Sequence, residues 1–484
     1  MGALVAVVNK KGESAVPIVV DMLKELTHRG RDYHGISTPE MVATNFTLES
    51  LELINPVSNI ALGHNLSRLM PRDHPQPIKG NGFTFVFEGR LFPAPNLPGL
   101  SEAQKIIEKL SCNLLRNSRS ILEKMDGSYV FAVAESDKLI VGRDVLGITP
   151  LYYGENDTLC AVASERKSLW KLGLKDVSSF PPGQLAIVNK QGFSLYPVKK
   201  LCSPPKEKLE METATYALEL LLLDSTRKQV SDLDGVAVAF SGGVDSSIIA
   251  VLADHVGLNV KLISVGLENQ PDIDFTKEAA ESLGLPLHFE TYSRNDLGET
   301  LAKVLWLIEE PNVINASIAV PFFWLAETAS KLGYPVVLAG QGADELFGGY
   351  QRYLVEYEKS GIEAVEQKMF YDVEYAYRQN FQRDNQVCSY HGVELRLPFI
   401  DKYVIDFAFR LPFGLKIYSI DDVLRKRILR RVAHNLDVPS FIADKPKKAI
   451  QYTTGVTKTL RWLAKGEGLT LRQYIEKAFS RVYS

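Results

Sequence analysis

Cysteine, net charge and long apolar runs are all scarce in this sequence, and each shortage narrows what the chain can be. Its four cysteines, Cys112, Cys160, Cys202 and Cys388, are scattered over 484 residues with no CxxC pair. Neither a zinc cage nor a disulfide framework is signalled, and all four read as buried thiols. Fifty-five Lys plus Arg against 58 Asp plus Glu leave a net charge of −3, which supplies no bulk attraction for nucleic acid or for an anionic membrane. The apolar runs fall short of the ~20 residues that span a bilayer. The amino-terminal run Ala3 to Val8 stops at Asn9-Lys10-Lys11 without the layout of a signal peptide. The expectation is a cytoplasmic protein with neither a nucleic-acid nor a membrane partner. A phosphate loop of the Walker type, which ends in Gly-Lys-Ser or Gly-Lys-Thr, is also missing.

What is present points to two domains of different construction. From Leu4 to about Tyr196 short β-rich runs (Leu4 to Val8, Phe83 to Phe87, Tyr129 to Val133, Leu139 to Val141) alternate with turn residues. Only Val16 to Leu26 and Ala103 to Leu115 show helical spacing, so this half reads as α+β with antiparallel sheet. The stretch Cys202-Ser203-Pro204-Pro205-Lys206-Glu207-Lys208 has linker composition and precedes a helical pattern from about Glu210 to Lys228. That places a boundary near 205, giving domains 1–204 and 205–484. In the second half, Val236 to Phe240, Val260 to Val265, Leu287 to Tyr292 and Pro335 to Ala339 alternate with helix-length segments, which predicts an α/β domain with a parallel sheet.

The apolar strand Val236 to Phe240 runs straight into Ser241-Gly242-Gly243-Val244-Asp245-Ser246-Ser247 and then into a helix beginning at Ile248. Two glycines permit a tight turn with N–H groups pointing outward. Ser241, Ser246 and Ser247 add hydroxyl donors, and the helix brings its partial positive end to the same place. A second strand, Pro335 to Ala339, ends in Gly340-Gln341-Gly342-Ala343-Asp344-Glu345-Leu346-Phe347-Gly348-Gly349-Tyr350. If both loops meet at one sheet edge, Asp245 and Asp344 present hard oxygen ligands beside phosphate oxygens, the set that Mg2+ prefers. The plainer reading makes these residues helix caps or a solvated face.

The first loop resembles the pyrophosphate loop of the ATP pyrophosphatase group, which implies cleavage of ATP between its α and β phosphates and an adenylated intermediate. With Ser264-Val265-Gly266-Leu267, the Gly340 loop and His391-Gly392-Val393-Glu394-Leu395-Arg396-Leu397-Pro398-Phe399-Ile400-Asp401 in the same order, the carboxyl half resembles the synthetase domain of asparagine synthetases. The resemblance implies that Phe240, Val265, Ala339 and Gly340 line an ATP site, and that a catalytic lysine lies in a basic stretch before a glycine. Lys447 fits that spacing best and Lys448 is its rival. An ammonium there stabilises the charge of the transition state at the α-phosphate. One departure falls at Gln341, the second candidate catalytic residue, where these enzymes commonly carry an acidic side chain; an amide can hydrogen-bond an intermediate but cannot accept a proton from ammonium.

The amino half looks like the glutaminase domain of the same enzymes, which implies a four-layer Ntn-hydrolase-like sandwich. The resemblance rests on Leu26 to Gly35, Met125 to Tyr129, Val141 to Tyr153, Ala163 to Lys167 and Phe180 to Gly183. That family attacks glutamine with a cysteine next to the initiator methionine. Here Gly2 stands in its place. The Asn-Gly-Glu run reads Glu88-Gly89-Arg90, the arginine two residues after His64 is Leu66 with Arg68 as a shifted substitute, and no aspartate lies near Leu100-Ser101-Glu102. A carboxylate at 88 would repel a developing oxyanion. The resemblance thus implies an AMP- and pyrophosphate-forming amide ligase using ATP and Mg2+, with aspartate as the first carboxylate and ammonia rather than glutamine as nitrogen donor, and with a homodimer or a separate ammonia-supplying partner compatible. Two alternatives stay open. One is amide or lactam closure on another carboxylate, as in the related β-lactam synthetases; the other is a non-catalytic nucleotide-binding scaffold.

Overall fold

The computed structural model describes residues 2–54, 56–93, 99–110, 113–268, 270 and 272–483. The chain divides into two compact units, 1–201 and 202–484.

The first unit is built on two antiparallel sheets. The strand Gly2–Asn9 lies centrally in a seven-stranded sheet between Leu159–Ala163 and Ile60–Leu66. All eight of its residues are buried because both faces are covered. Ala3, Val5 and Val7 pack toward the helix Val16–Glu25, whereas Leu4, Ala6 and Val8 face the second, six-stranded sheet. In that second sheet Val86, Val130 and Ala132 fill the space between the sheets, and Phe85, Phe87 and Phe131 point the other way, toward Ala103, Ile106 and Ile121. Three apolar layers therefore separate helix, sheet, sheet and helix, the four-layer sandwich that the sequence resemblance implies. The single helix predicted over 103–115 is broken. Glu102–Ile107 starts in a capping box formed by Ser101 and Gln104, and a second helix, Leu114–Lys124, starts at an Asn113 cap. Cys160 and Cys388 are buried, but Cys202 is exposed in the linker, which corrects the expectation that it is a buried thiol; Cys112 lies outside the described residues.

The second unit carries a five-stranded parallel sheet. Its strands are β1 (Gly235–Ala239), β2 (Asn259–Leu267), β3 (Leu287–Tyr292), β4 (Val336–Leu338) and β5 (Glu394–Arg396), in the order β3-β2-β1-β4-β5. The short β5 was not predicted: three residues leave almost no periodicity to read. Because the chain leaves β1 toward β2 but returns to its other side at β4, the order reverses between β1 and β4. Open parallel sheets bind ligands at such a point, beyond the carboxyl ends of the strands. The helix Val313–Lys331 is long and apolar enough to cross a bilayer by length and composition, contrary to the expectation that no run comes close. Two thirds of it is buried, against the helices Arg294–Ile308 and Gln382–Tyr390.

Candidate active site

The loops after β1 and β4 open on one cavity of about 770 Å³, bordered on the strand side by Phe240, Ser241, Val265, Ala339, Gly340 and Gln341. Phe240, Val265 and Ala339 present buried apolar surface. Within the first loop Gly242 adopts φ 67°, and Ser246 Oγ accepts from the Ser241 N–H (3.2 Å) and donates to the Gly243 carbonyl (3.1 Å). Gly243 caps the helix Val244–His255, and no side chain caps that end. The first-turn N–H groups thus stay available to an anion. Ser247 is fully buried and does not border the cavity, so the third hydroxyl of the loop is turned away.

The two carboxylates do meet, and two ammonium groups hold them. Lys426 Nζ lies 2.8 and 2.7 Å from the Asp245 oxygens and 2.5 Å from Asp344 Oδ1. Lys447 Nζ lies 2.8 Å from Asp344 Oδ2 and 3.5 Å from Asp245 Oδ2. Burial opposes ionisation of Asp344, but Lys426 and Lys447 outweigh it and hold its carboxyl well below the usual range. For Lys447 burial again works against the charge, and Asp344 and Asp245 raise its pKa above the ordinary lysine value. Lys448 points elsewhere, to Asp272 at 3.3 Å, with over half of its side chain exposed. Lys426 is not among the residues that the sequence singles out, because in Arg425-Lys426-Arg427 it is one of three consecutive basic side chains. It is 1 % exposed, and the left-handed backbone at Arg425 and Lys426, φ 52° at each, turns it inward. Gly349 permits this approach, because a Cβ there would sit 1.9 Å from Asp344 Oδ1 and 2.2 Å from Lys426 Cε.

Gln341 donates to Asp384 Oδ2 at 2.6 Å, and Asp384 is fully buried against Arg383, which gives 2.7 and 3.0 Å contacts. Burial raises the Asp384 pKa, partly offset by Arg383 and Gln341. An acidic side chain at 341 would face that carboxylate directly, which accounts for the amide. Among the described residues no group of three or more His, Cys, Asp or Glu side chains is placed to hold a metal. Asp245 and Asp344 suit a divalent cation only if phosphate oxygens complete the shell.

In the first unit, a Cβ on Gly2 would lie 1.9 Å from the Asn65 carbonyl oxygen. Glu88 accepts from the Gly2 N–H at 2.6 Å and pairs with His64 at 3.1 Å. Burial pushes its carboxyl up, yet its neighbours, among them the hydrogen bond with His64 and the Arg29 charge, bring it down to about 2. Arg90 grips Asp73 at 2.5 and 2.9 Å and reaches Glu102 at 3.4 Å. The cavity left beside Glu88 and Arg90 is about 20 Å³, room for one water. Arg68 is exposed and donates to the Pro71 carbonyl, so it does not replace the arginine missing at 66.

The family profile described as asparagine synthase matches residues 217–362 and 354–481, and one described as a glutamine amidotransferase domain matches 64–171. A protein of Methanocaldococcus jannaschii named as a glutamine-hydrolysing asparagine synthetase is 31% identical over 98% of this chain and 98% of its own length. This chain belongs to the asparagine synthetase family. An asparagine synthetase of Brassica oleracea is 26% identical over 90% of this chain and 75% of its own. Among solved structures, the glutamine phosphoribosylpyrophosphate amidotransferase of B. subtilis covers 59% of this chain and 65% of its own at 18% identity and a TM-score of 0.37. Membership in the asparagine synthetase family makes the protein a carbon–nitrogen ligase that uses ATP.

Proposed function

We propose that this enzyme adenylates the side-chain carboxylate of aspartate and passes the acyl group to free ammonia, giving asparagine, AMP and pyrophosphate. The observation that carries the reading is the cluster of Lys426, Lys447, Asp245 and Asp344 at the uncapped helix end between β1 and β4. A carboxylate oxygen attacks the α-phosphorus and the bond to the β-phosphate bridging oxygen breaks. The N–H groups of the first loop hold the departing phosphates. The Lys447 ammonium offsets charge that grows on the phosphoryl oxygens, an electrostatic role that a neutral side chain cannot fill. Asp245 and Asp344 would hold Mg2+ together with phosphate oxygens, and the cation when bound neutralises pyrophosphate charge.

Ammonia is favoured over glutamine because position 2 has no nucleophile, has no room for a side chain and faces an ionised Glu88. The test supplies ATP, Mg2+ and aspartate with either ammonium or glutamine. AMP, pyrophosphate and asparagine should form with ammonium, and no glutamate should be released from glutamine. ADP as the nucleotide product would end the adenylate reading, and glutamate release would end the second claim.

A further inference from the structure

Four carboxylates of the described residues border the cavity: Asp245, Asp272, Glu310 and Asp344. Three are tied to lysine. Asp245 and Asp344 share Lys426 and Lys447, and Asp272 meets Lys448 at 3.3 Å and Lys445 at 3.8 Å. Glu310 has no lysine or arginine partner among the described residues; its Oε1 accepts only from the Asn315 amide. That amide begins a continuous chain of hydrogen bonds. Asn315 Oδ1 accepts from Arg383 Nη1 at 3.1 Å, Arg383 grips Asp384, and Asp384 accepts from Gln341. Gln341 lies three residues before Asp344 in the second loop, so the chain ties Glu310 to the loop that carries Asp344. The backbone is fixed as well: Glu309 adopts φ 59° at the end of the helix Arg294–Ile308, and Pro311 restricts Glu310 from the other side.

Gln341 cannot take a proton from an incoming nitrogen, and the other three carboxylates are neutralised by ammonium groups. We propose that Glu310 is the base of the amide-forming step, an assignment that rests on the adenylate chemistry proposed above. Glu310 takes a proton from the incoming ammonium ion, the freed nitrogen lone pair forms the new C–N bond at the acyl carbon, and the proton still in surplus on that nitrogen passes to the leaving phosphate oxygen. The adduct then collapses, the C–O bond to AMP breaks with its electron pair on the phosphate oxygen, and Glu310 returns the proton to water. The positively charged groups that border the same cavity are Arg352, Arg378, Arg383, Lys447 and Lys448. Arg352 and Arg383 are paired with Asp372 and Asp384.

Glu310→Gln in the full chain tests the assignment through three readouts at neutral pH: aspartate-dependent pyrophosphate–ATP exchange, amide formation with ammonium, and hydroxamate formation with hydroxylamine, which is already uncharged. Exchange should stay within about 3-fold of the parent chain, whereas the ammonium reaction should fall at least about 100-fold, the usual contribution of a positioned base. The hydroxylamine reaction should fall about 10-fold or less. Glu310→Asp should recover part of the ammonium rate, and it replaces the glutamine variant if that chain does not fold. Equal loss of all three activities would make Glu310 a group that binds the acceptor and overturn the proposal, as would an unchanged ammonium rate. If the parent chain shows no exchange with aspartate or any other acid, the adenylate reading itself fails and the role of Glu310 falls with it.

Discussion

Lys426→Met removes a buried ammonium of matching length and leaves two carboxylates with one remaining cation. In the parent, Lys426 Nζ lies within 2.8 Å of three carboxylate oxygens, and Lys447, with 29% of its side chain exposed, reaches Asp245 only at 3.5 Å. Removing one partner from a buried ion pair usually costs about 3–5 kcal/mol, because the charge left behind stays desolvated. For a unit of this size each kcal/mol lowers Tm by roughly 2–4 °C, so a fall on the order of 10 °C is expected with chelator present. The same change turns Asp245 and Asp344 into a better cation site. Millimolar Mg2+ should therefore raise the Tm of the variant by several degrees more than that of the parent. Thermal unfolding with and without Mg2+ reads both effects. A variant that melts within about 2 °C of the parent in chelator would refute the argument that Lys426 neutralises the pair.

Lys447→Ala should abolish amide formation while nucleotide binding largely persists, and Lys448→Ala should retain most turnover. Steady-state rates and ATP titration of the two variants decide, and a silent Lys447→Ala would transfer the role. Gly2→Cys should release no glutamate from glutamine and should lower the Tm, since its Cβ meets the Asn65 carbonyl at 1.9 Å; measurable glutaminase activity would contradict the closed pocket. Lys416 is buried without an acid partner at contact distance among the described residues, and burial, with Lys206 adding to it against the pull of Glu366, lowers its pKa to about 7. Its folded pKa lies below the unfolded lysine value, so the unfolded chain binds the extra proton between about pH 7 and 10.4 and parent stability rises across that window. Lys416→Met should stabilise the protein by about 1–4 kcal/mol at pH 7, with the gain shrinking toward pH 10; denaturant unfolding at the two pH values checks it, and a less stable variant at pH 7 refutes it.

Local pattern alone determined the strand-to-loop-to-helix segments at Val236 to Ser247 and Pro335 to Tyr350, since apolar runs, glycines and caps act over a few residues. It also determined the apolar β run Leu4 to Val8 and the absence of a thiol at position 2, whereas the entry of that strand's odd and even residues into two different cores came from the fold. What tertiary structure decided lies at long separation. Lys426 reaches Asp245 across 181 residues, and Asp384 takes the Gln341 amide across 43. Neither contact leaves a mark in sequence, because a lysine on a basic helix and an aspartate within a helix look the same whether solvated or buried. The choice between Lys447 and Lys448 was likewise left open by adjacent, identical side chains, and the fold separates them because successive side chains leave the backbone in different directions: one toward Asp344, the other toward Asp272. The glutaminase pocket follows the same division. Its lost residues can be read in order along the chain, but its closure by Arg90, Asp73 and Glu102 required the sheet to bring three distant charges into one buried space.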